Sequence, residues 1–167
     1  LEERLAGTFL EGVRVIETDA PTGVGIGELR AALDDLLAAT PTAIDHGRPR
    51  LWIDRAFSAR GSGTVVTGTL TGGCLRSDDE LEVHPSGATV RVRGLQNHHA
   101  DRDELPPGSR CAVNLVGVSH DGVARGDVLV RSGQWHHTMV VDASLTVLDQ
   151  LDHPVSRRGA HVLYLGS

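Results

Sequence analysis

The chain has 167 residues, a formal net charge of −6 and 40% hydrophobic residues, which fits one domain or two small ones in a soluble chain. The negative charge argues against binding nucleic acid through overall charge, although a local arginine cluster remains compatible with it. No apolar run approaches the roughly 20 residues that cross a bilayer, and the first residues do not form a signal peptide, so we expect no membrane partner.

Residues 1–39 predict one strand and one amphipathic helix. Residues 13–17 form the strand, and residues 18–27 form a loop. Apolar residues then recur at helical spacing, at Ile26, Leu29, Leu33, Leu36 and Leu37. Thr40-Pro41 ends the helix. One strand and one helix cannot bury this leucine stripe alone, so residues 1–39 are expected to be the end of a larger domain.

A phosphate-binding G-x-x-x-x-G-K-[ST] loop is absent from the sequence, which contains no lysine. The glycines at positions 23, 25 and 27 do not have the dinucleotide G-x-G-x-x-G spacing. We therefore expect these 167 residues to hydrolyse no GTP and to need no cofactor.

From Leu51 onward, short strands alternate with turn signals. Residues 51–59 and the β-branched run 64–71 predict a hairpin. Gly61 and Gly63 permit positive φ at its reversal and let another backbone approach. Further strands are predicted at residues 80–84, 88–93 and 110–118, and residues 40–50 and 96–104 are predicted to be a linker and a polar excursion. Strands at regular spacing over eighty residues, without helices, predict a mainly β fold with a small antiparallel barrel over residues 51–131.

Residues 88–93 alternate between apolar and polar, which places Val90 and Val92 inside the barrel and Arg91 and Arg93 outside. The two arginines form either a solvated face or an RNA-backbone contact. Residues 132–167 are expected to begin a second β-barrel, with strands at 138–148 and 160–166.

The cysteines and histidines show no metal-binding pattern. Cys74 and Cys111 are isolated, so we expect two reduced thiols. The pairs His98-His99 and His136-His137 would point to opposite faces if they lay on strands. Neither pair has a second ligand pair at zinc spacing, so no metal site is expected.

The hairpin sequence F-S-x-x-G-x-G-T-V-V-T-G-T at residues 57–69 resembles the start of the second-domain barrel in translational GTPases. The R-G-D-V-L of residues 125–129 resembles the end of that barrel. With Asp54-Arg55 before the hairpin, the chain resembles the selenocysteine-specific elongation factors of the SelB type. This resemblance makes residues 1–39 the C-terminal part of the GTPase domain, 51–131 domain 2, and 132–167 the start of domain 3.

The resemblance also implies site residues. Residues 19–23 fall where the family has its guanine-edge loop S-A-x-T-G, with the backbone of Ala20 facing the base; an ordinary βα turn remains the alternative. Asp54, Arg55 and Arg110 match positions of the selenocysteine pocket. The tRNA 3′ end would meet Arg60, Gly61 and Gly63. On the residues alone, an exposed Asp–Arg pair of little energetic value is the simpler interpretation of positions 54 and 55.

A member of this family would bind selenocysteinyl-tRNA and deliver it to the ribosome in the cytoplasm. The complete factor would use GTP and Mg²⁺, and regions outside these 167 residues would bind a selenoprotein mRNA hairpin. Two alternatives remain at this point. One is domain 2 of a general elongation factor or another translational GTPase, and the other is a structural, protein-binding barrel.

Overall fold

The computed structural model describes residues 5–59, 61, 63–145, 147, 155 and 162–163, and for Ala59 only the backbone. The described residues fall into two compact units. One includes residues 5–41 and the other includes residues 42–140. Within these described residues, no helix is long and apolar enough to cross a membrane.

The second unit is a closed antiparallel barrel. Its strands are β1 Arg50–Ala59, β2 Gly63–Thr71, β3 Leu75–Arg76, β4 Glu80–His84, β5 Ala88–Asn97, β6 Ala100–Arg102, β7 Glu104–Leu105, β8 Arg110–Val116 and β9 Val128–Val130. Six of these strands are joined in the order β4-β9-β1-β2-β8-β5, and β5 pairs back to β4 to close the barrel. Strand β6 extends the sheet beyond β5, and β3 pairs with β7. The predicted barrel is confirmed.

Alternating side chains fill the barrel with aliphatic groups. The buried residues include Leu51, Ile53, Val66, Leu70, Leu81, Val83, Val90, Val92, Val113, Leu115 and Leu129. The prediction for β5 is confirmed, because Val90 and Val92 are buried while Arg91 and Arg93 are exposed. Burial of this apolar surface is the main favourable term that holds the strands together.

The opening hairpin forms as predicted, with β1 antiparallel to β2. Gly61 and Gly63 have φ values of 79° and 81°, so the reversal does use their conformational freedom. The expected close backbone approach is not observed, because no described atom lies within 4 Å of a Cβ built on either glycine.

Two turns use residues other than glycine at positive φ. Asp78 has φ 68° and precedes β4. His98 and His99 have φ values of 50° and 62°, and they are the two central residues of the turn that joins β5 to β6. The two histidines therefore do not lie on a strand. The segment expected to be a polar excursion, residues 96–104, is largely this hairpin.

In the first unit, the predicted helix is confirmed as α1, Ile26–Ala39, and the Thr40 amide caps it by donating to the Leu36 carbonyl. The strand predicted at residues 13–17 is wrong. These residues have no ladder partner within the described part of the chain, and a strand exists only where a neighbour accepts its backbone hydrogen bonds. The loop that follows closes through one isolated bridge, Asp19 to Val24.

The strand predicted at residues 138–148 is not formed over its described part. Residues 138–145 lie in no strand, and Met139 and Val140 are 86% and 80% exposed. An apolar alternating run without a paired neighbour has no ladder to join. The strand predicted at residues 160–166 lies outside the described residues, except for positions 162 and 163, which are in no strand.

The segment predicted as a linker is part of the barrel unit from residue 42 onward. The backbone amides of His46 and Arg48 both donate to the Gly72 carbonyl, at 3.1 and 3.0 Å. Pro49 is buried. Residues 45–49 therefore lie against the barrel before β1 begins at Arg50.

Candidate functional site

A β-bulge in β1 places Asp54 and Arg55 together on the outside of the barrel. Ile53 pairs with Gly68 and Arg55 pairs with Thr67, so Asp54 is an extra residue in β1 with no register partner. Ile53 is buried and Ala56 packs against the same core. Asp54 and Arg55 lie between these two residues and outside that core. In a regular strand, adjacent side chains point to opposite faces, but the bulge leaves both of these side chains on the outer surface.

Gly68, the register partner of Ile53 beside this bulge, allows a close approach of β1 and β2. A Cβ built at Gly68 would lie 2.0 Å from the Trp52 carbonyl oxygen and 3.1 Å from Leu51 Cγ. Only a residue without a side chain permits β1 and β2 to approach this closely. Sequence reasoning noted the T-G-T of residues 67–69 within the hairpin motif but did not assign the glycine this role.

Asp54 and Arg110 form a two-pronged ion pair across β2. Both terminal nitrogens of Arg110 donate to the Asp54 carboxylate, and the Nη2–Oδ1 distance is 3.0 Å. The Thr67 hydroxyl donates to Asp54 Oδ1 at 2.7 Å. The Asp54 side chain is 18% exposed, whereas that of Arg110 is 52% exposed. A carboxylate with three donors is fixed in position, and it fixes the planar guanidinium of Arg110 in turn.

The charges of this cluster shift the pKa of Asp54. Hydrogen bonds from Arg110 hold the pKa of the Asp54 carboxyl below its ordinary value, against a partial burial that acts to raise it. The Thr67 hydrogen bond and the charge of Arg55 act in the same direction as Arg110. Asp54 is therefore ionised at neutral pH. One carboxylate and two guanidiniums give the cluster a net charge of about +1.

Arg55 is exposed, and among the described residues it forms no ion pair. The structure thus brings all three predicted pocket residues to one region. It pairs Arg110 with Asp54 and leaves Arg55 the less constrained cation. A negatively charged group could reach Arg55 and the N–H groups of Arg110 that Asp54 does not use, because arginine carries five donors.

A cleft of about 330 Å³ lies beside this cluster. It is lined by Phe57, Val65, Gly94, Leu95, Gln96, Asp101, Ala112 and Asn114. Strand pairing places the cleft next to the cluster. Thr67 of the cluster pairs with Ala112 of the cleft, and Ala112 pairs with Gln96. Phe57 is 43% exposed, and Asn114 Oδ1 is buried with no hydrogen-bond partner among the described residues. The cleft thus offers an apolar surface.

Sequence reasoning missed this cleft. Its opening depends on a second bulge, in β5, where the register shifts between Val92 and Gly94. A Cβ built at Gly94 would meet no atom within 4 Å, so the missing side chain leaves open space in the cleft. The available signal was Arg93-Gly94 within an otherwise alternating strand, since a glycine inside a strand often marks a bulge.

Two of the three residues predicted for the tRNA 3′ end are described, and neither is at the cluster. Gly61 and Gly63 lie at the tip of the hairpin, and Gly63 is four residues along β2 from Thr67, about 13 Å at the usual rise per residue. Arg60 lies outside the described residues.

Ala20, predicted for the guanine-edge loop, is exposed within the loop that the Asp19–Val24 bridge closes. In this loop the Thr22 hydroxyl donates to the Asp19 carboxylate at 2.6 Å, and the Gly23 amide donates to the Asp19 carbonyl at 2.8 Å. Asp19, which replaces the serine of the family pattern, therefore stabilises the turn that presents Ala20.

Over the described residues, no group of three or more His, Cys, Asp or Glu side chains is placed to hold a metal ion. Both cysteines are free thiols. A hydrogen bond to Asp45, with a smaller contribution from burial, raises the pKa of Cys74 to about 12. Burial raises the pKa of Cys111 to about 11. Both thiols are therefore protonated and unreactive at neutral pH.

Comparison with known proteins identifies relatives of this barrel. The family model described as elongation factor Tu domain 2 matches residues 63–130. The selenocysteine-specific elongation factor of Desulfomicrobium baculatum is 38% identical over 154 residues, which cover 92% of this chain and 24% of that protein. The chain therefore spans about a quarter of the length of this relative.

Solved structures give the same result. The apo form of translation elongation factor SelB from Methanococcus maripaludis superposes with a TM-score of 0.71 and 28% identity, over 78% of this chain and 29% of that one. The same factor in complex with the GTP analogue GppNHp gives a TM-score of 0.68 and 30% identity, over 74% of this chain and 27% of that one. Residues 63–130 thus match elongation factor Tu domain 2, and the selenocysteine-specific elongation factors are homologues of this chain over most of its length.

Proposed function

We propose that this chain is the aminoacyl-binding part of a GTP-dependent, selenocysteine-specific elongation factor, and that Asp54, Arg55 and Arg110 form its selenocysteine pocket. The observation that carries the proposal is the bulge, which puts Asp54 and Arg55 on one outer surface with Arg110 held against Asp54. A surface ion pair without a ligand would need neither the bulge nor a second arginine.

The charge of the cluster suits a selenolate. A selenol is more acidic than a thiol and is an anion at neutral pH, whereas the hydroxyl of serine on the same tRNA is neutral. Asp54 balances one guanidinium, so the cluster can accept one further negative charge through charge-assisted hydrogen bonds. Serine would desolvate the same donors without supplying that charge. Selectivity then follows from the difference between the two complexes.

The adjacent cleft suits the terminal nucleoside of the tRNA 3′ end. Its volume of about 330 Å³ and its exposed Phe57 offer a surface on which a base can stack. An amino acid esterified to a nucleoside in this cleft lies next to Ala112 and therefore near Arg110, two residues away on β8. The cleft would hold the nucleoside and the cluster would select the amino acid.

The rest of the proposal concerns the whole protein. Residues 1–39 would be the end of a GTP-binding domain, and residues 132–167 the start of a third domain. The factor would bind GTP with Mg²⁺, as the GppNHp complex of the related factor suggests for GTP. In the cytoplasm it would deliver selenocysteinyl-tRNA to the ribosome, and regions outside this chain would bind the mRNA hairpin.

The test compares binding of selenocysteinyl-tRNA and seryl-tRNA to the full-length factor that contains this chain. Arg110→Ala should weaken selenocysteinyl-tRNA binding by about 1–2 kcal/mol, because a charge-assisted hydrogen bond at a half-exposed arginine is lost. Seryl-tRNA binding should change much less. Arg76→Ala is the control, because Arg76 is also exposed and also bonds a carboxylate, that of Glu104, at 3.1 Å. Equal weakening of both tRNAs by Arg110→Ala would place amino-acid selection elsewhere.

Gly94→Val tests the cleft separately. The added side chain would project into open space in the cleft, where a Cβ meets no atom within 4 Å. Both tRNAs should bind more weakly by the same factor, since both end in the same nucleoside. Unchanged binding would show that the 3′ end does not use this cleft, without affecting the assignment of the arginine cluster.

A further inference from the structure

Two tryptophans and two arginines join the start of β1 and the residues before it to the segment after β9. We call residues 45–50 the leading segment, whose last residue, Arg50, begins β1, and residues 131–137 the trailing segment; both belong to the barrel unit. The Arg50 guanidinium carbon lies 4.5 Å from the ring centre of Trp135 and 5.2 Å from that of Trp52. The guanidinium carbon of Arg48 lies 4.6 Å from the centre of the same Trp135 ring. One indole of the trailing segment therefore binds two cations of the leading segment.

Polar contacts join the same two segments. Arg48 donates from its guanidinium to the Gln134 carbonyl, and the Gln134 side-chain amide donates to the Gly47 carbonyl at 3.2 Å. On its other side the leading segment meets the turn at Gly72 and Gly73, where a Cβ at Gly73 would lie 2.7 Å from the Arg48 amide nitrogen. The leading segment is thus held between a turn of the barrel and the trailing segment.

This junction also contains unsatisfied polar groups. Over the described residues, four buried side-chain polar atoms have no hydrogen-bond partner, and three of them are here: Arg50 Nε, Gln134 Oε1 and Trp135 Nε1. A buried polar group without a partner destabilises the state that buries it. Opening of the junction would hydrate all three atoms but would lose the stacked contacts. The closed state is therefore favoured by one set of interactions and opposed by another.

We propose that Trp135 is a latch between the leading and trailing segments, closed by its two arginine contacts and opened when the three unpaired polar atoms become hydrated. The latch makes the two segments mutually dependent, because a shift of either one removes the stacking surface of the other. By linkage, the coupling must be equal in both directions. The cluster at Asp54 and the cleft take no part, so the latch does not depend on the proposed tRNA site.

Amide hydrogen exchange in this 167-residue chain tests the proposal in both directions. Trp135→Leu should accelerate exchange of the His46 and Arg48 amides by about 10-fold or more through local opening, and leave the β2 and β8 amides unchanged. Arg48→Ala should accelerate the Gln134 amide, which donates to the Arg131 carbonyl at 3.2 Å. His136→Ala is the matched control, because His136 is an exposed neighbour of Trp135 and should change none of these amides.

Trp135→Phe separates the stacking from the unpaired indole N–H. Phenylalanine keeps an aromatic face, although a weaker partner for a cation than indole, and removes one unsatisfied donor, so protection of the Arg48 amide should fall less than in Trp135→Leu. Loss of protection as large as in Trp135→Leu would show that an aromatic face does not hold the leading segment, and would overturn the latch. Unchanged Arg48 exchange in Trp135→Leu, or equal acceleration throughout the barrel, would overturn the coupling itself.

Discussion

The barrel and the segment before it differ in what their apolar residues do. In the barrel, Leu70 and its neighbours are almost completely buried. In residues 5–41, α1 has a clear apolar stripe, yet it contains no buried residue and Leu37 is 71% exposed. The local pattern of apolar and polar residues correctly predicts both the strands of the barrel and the helix. Stability requires a second layer that covers the apolar face, and among the described residues such a layer is present for the barrel but not for α1.

Identical leucine truncations should separate the two regions most strongly. Leu70→Ala removes a side chain that is 0% exposed and should destabilise the barrel by about 2–5 kcal/mol, the cost of lost burial plus a cavity. Leu37→Ala removes an exposed side chain and should change barrel unfolding by less than about 0.5 kcal/mol. Denaturant unfolding followed by the fluorescence of Trp52 and Trp135, the chain's two tryptophans, measures both. A cost near 2 kcal/mol for Leu37→Ala would show that α1 supports the barrel.

One glycine in each region allows a second comparison of the barrel with residues 5–41. A Cβ at either glycine would lie equally close to a backbone carbonyl oxygen. A Cβ at Gly68 would lie 2.0 Å from the Trp52 carbonyl oxygen, and one at Gly25 would lie 2.0 Å from the Glu17 carbonyl oxygen. Gly68→Ala should destabilise the barrel by about 1–3 kcal/mol, because packed strands cannot move apart without strain. Gly25→Ala should open the turn next to Gly25 and leave the free energy of barrel unfolding unchanged.

The opening of the turn by Gly25→Ala is measured by hydrogen exchange of the Asp19 amide, because this amide donates to the Val24 carbonyl at 3.0 Å. We expect Gly25→Ala to increase that exchange and Gly68→Ala to leave it unaltered. If Gly68→Ala were neutral in unfolding, the bulge at Asp54 would not depend on the glycine, and the structural basis of the site would need another explanation.

Much of the barrel could be predicted because its information is local. The alternation of apolar and polar residues along β5 correctly predicts that Val90 and Val92 are buried and that Arg91 is exposed. The errors fell where a neighbouring strand decides the outcome. Residues 13–17 and 138–145 have the composition of strands, but a strand needs a hydrogen-bonded partner, and sequence pattern does not show whether one is present.

The candidate site was predictable in its residues but not in its geometry. Asp54, Arg55 and Arg110 were identified through their match to a family motif. Their arrangement depends on a one-residue bulge, which alternation cannot reveal because a bulge breaks the two-residue period. The cleft depends on a second bulge, at Gly94. The partner of Asp54 in the ion pair, Arg110, is 56 residues away in sequence, and only the β1–β2–β8 order brings the two together.

The smallest expected difference concerns one ion pair in each region. In residues 5–41, Arg14 Nη2 lies 3.0 Å from Glu28 Oε1, with side chains 56% and 57% exposed. In the barrel, Asp54 is 18% exposed and accepts a third hydrogen bond from Thr67. At pH 7, Asp54→Asn should destabilise the barrel by about 0.5–1 kcal/mol, a modest value because Arg110 is half exposed. Glu28→Gln should have no measurable effect on unfolding, as is usual for exposed pairs.

The pH dependence identifies the charge as the cause. The folded-state pKa of Asp54 lies below its ordinary value of 3.8, with the hydrogen bond from Arg110 as the main reason. Ionised Asp54 therefore stabilises the barrel fully at pH values above the ordinary pKa, and this contribution disappears as the pH falls through the folded-state pKa. The free energies of unfolding of the parent chain and of Asp54→Asn, measured from pH 7 down to about pH 2, should differ by an amount that shrinks in acid. A cost for Asp54→Asn that is unchanged at the acid end would mean that shape, rather than charge, holds Arg110 in place.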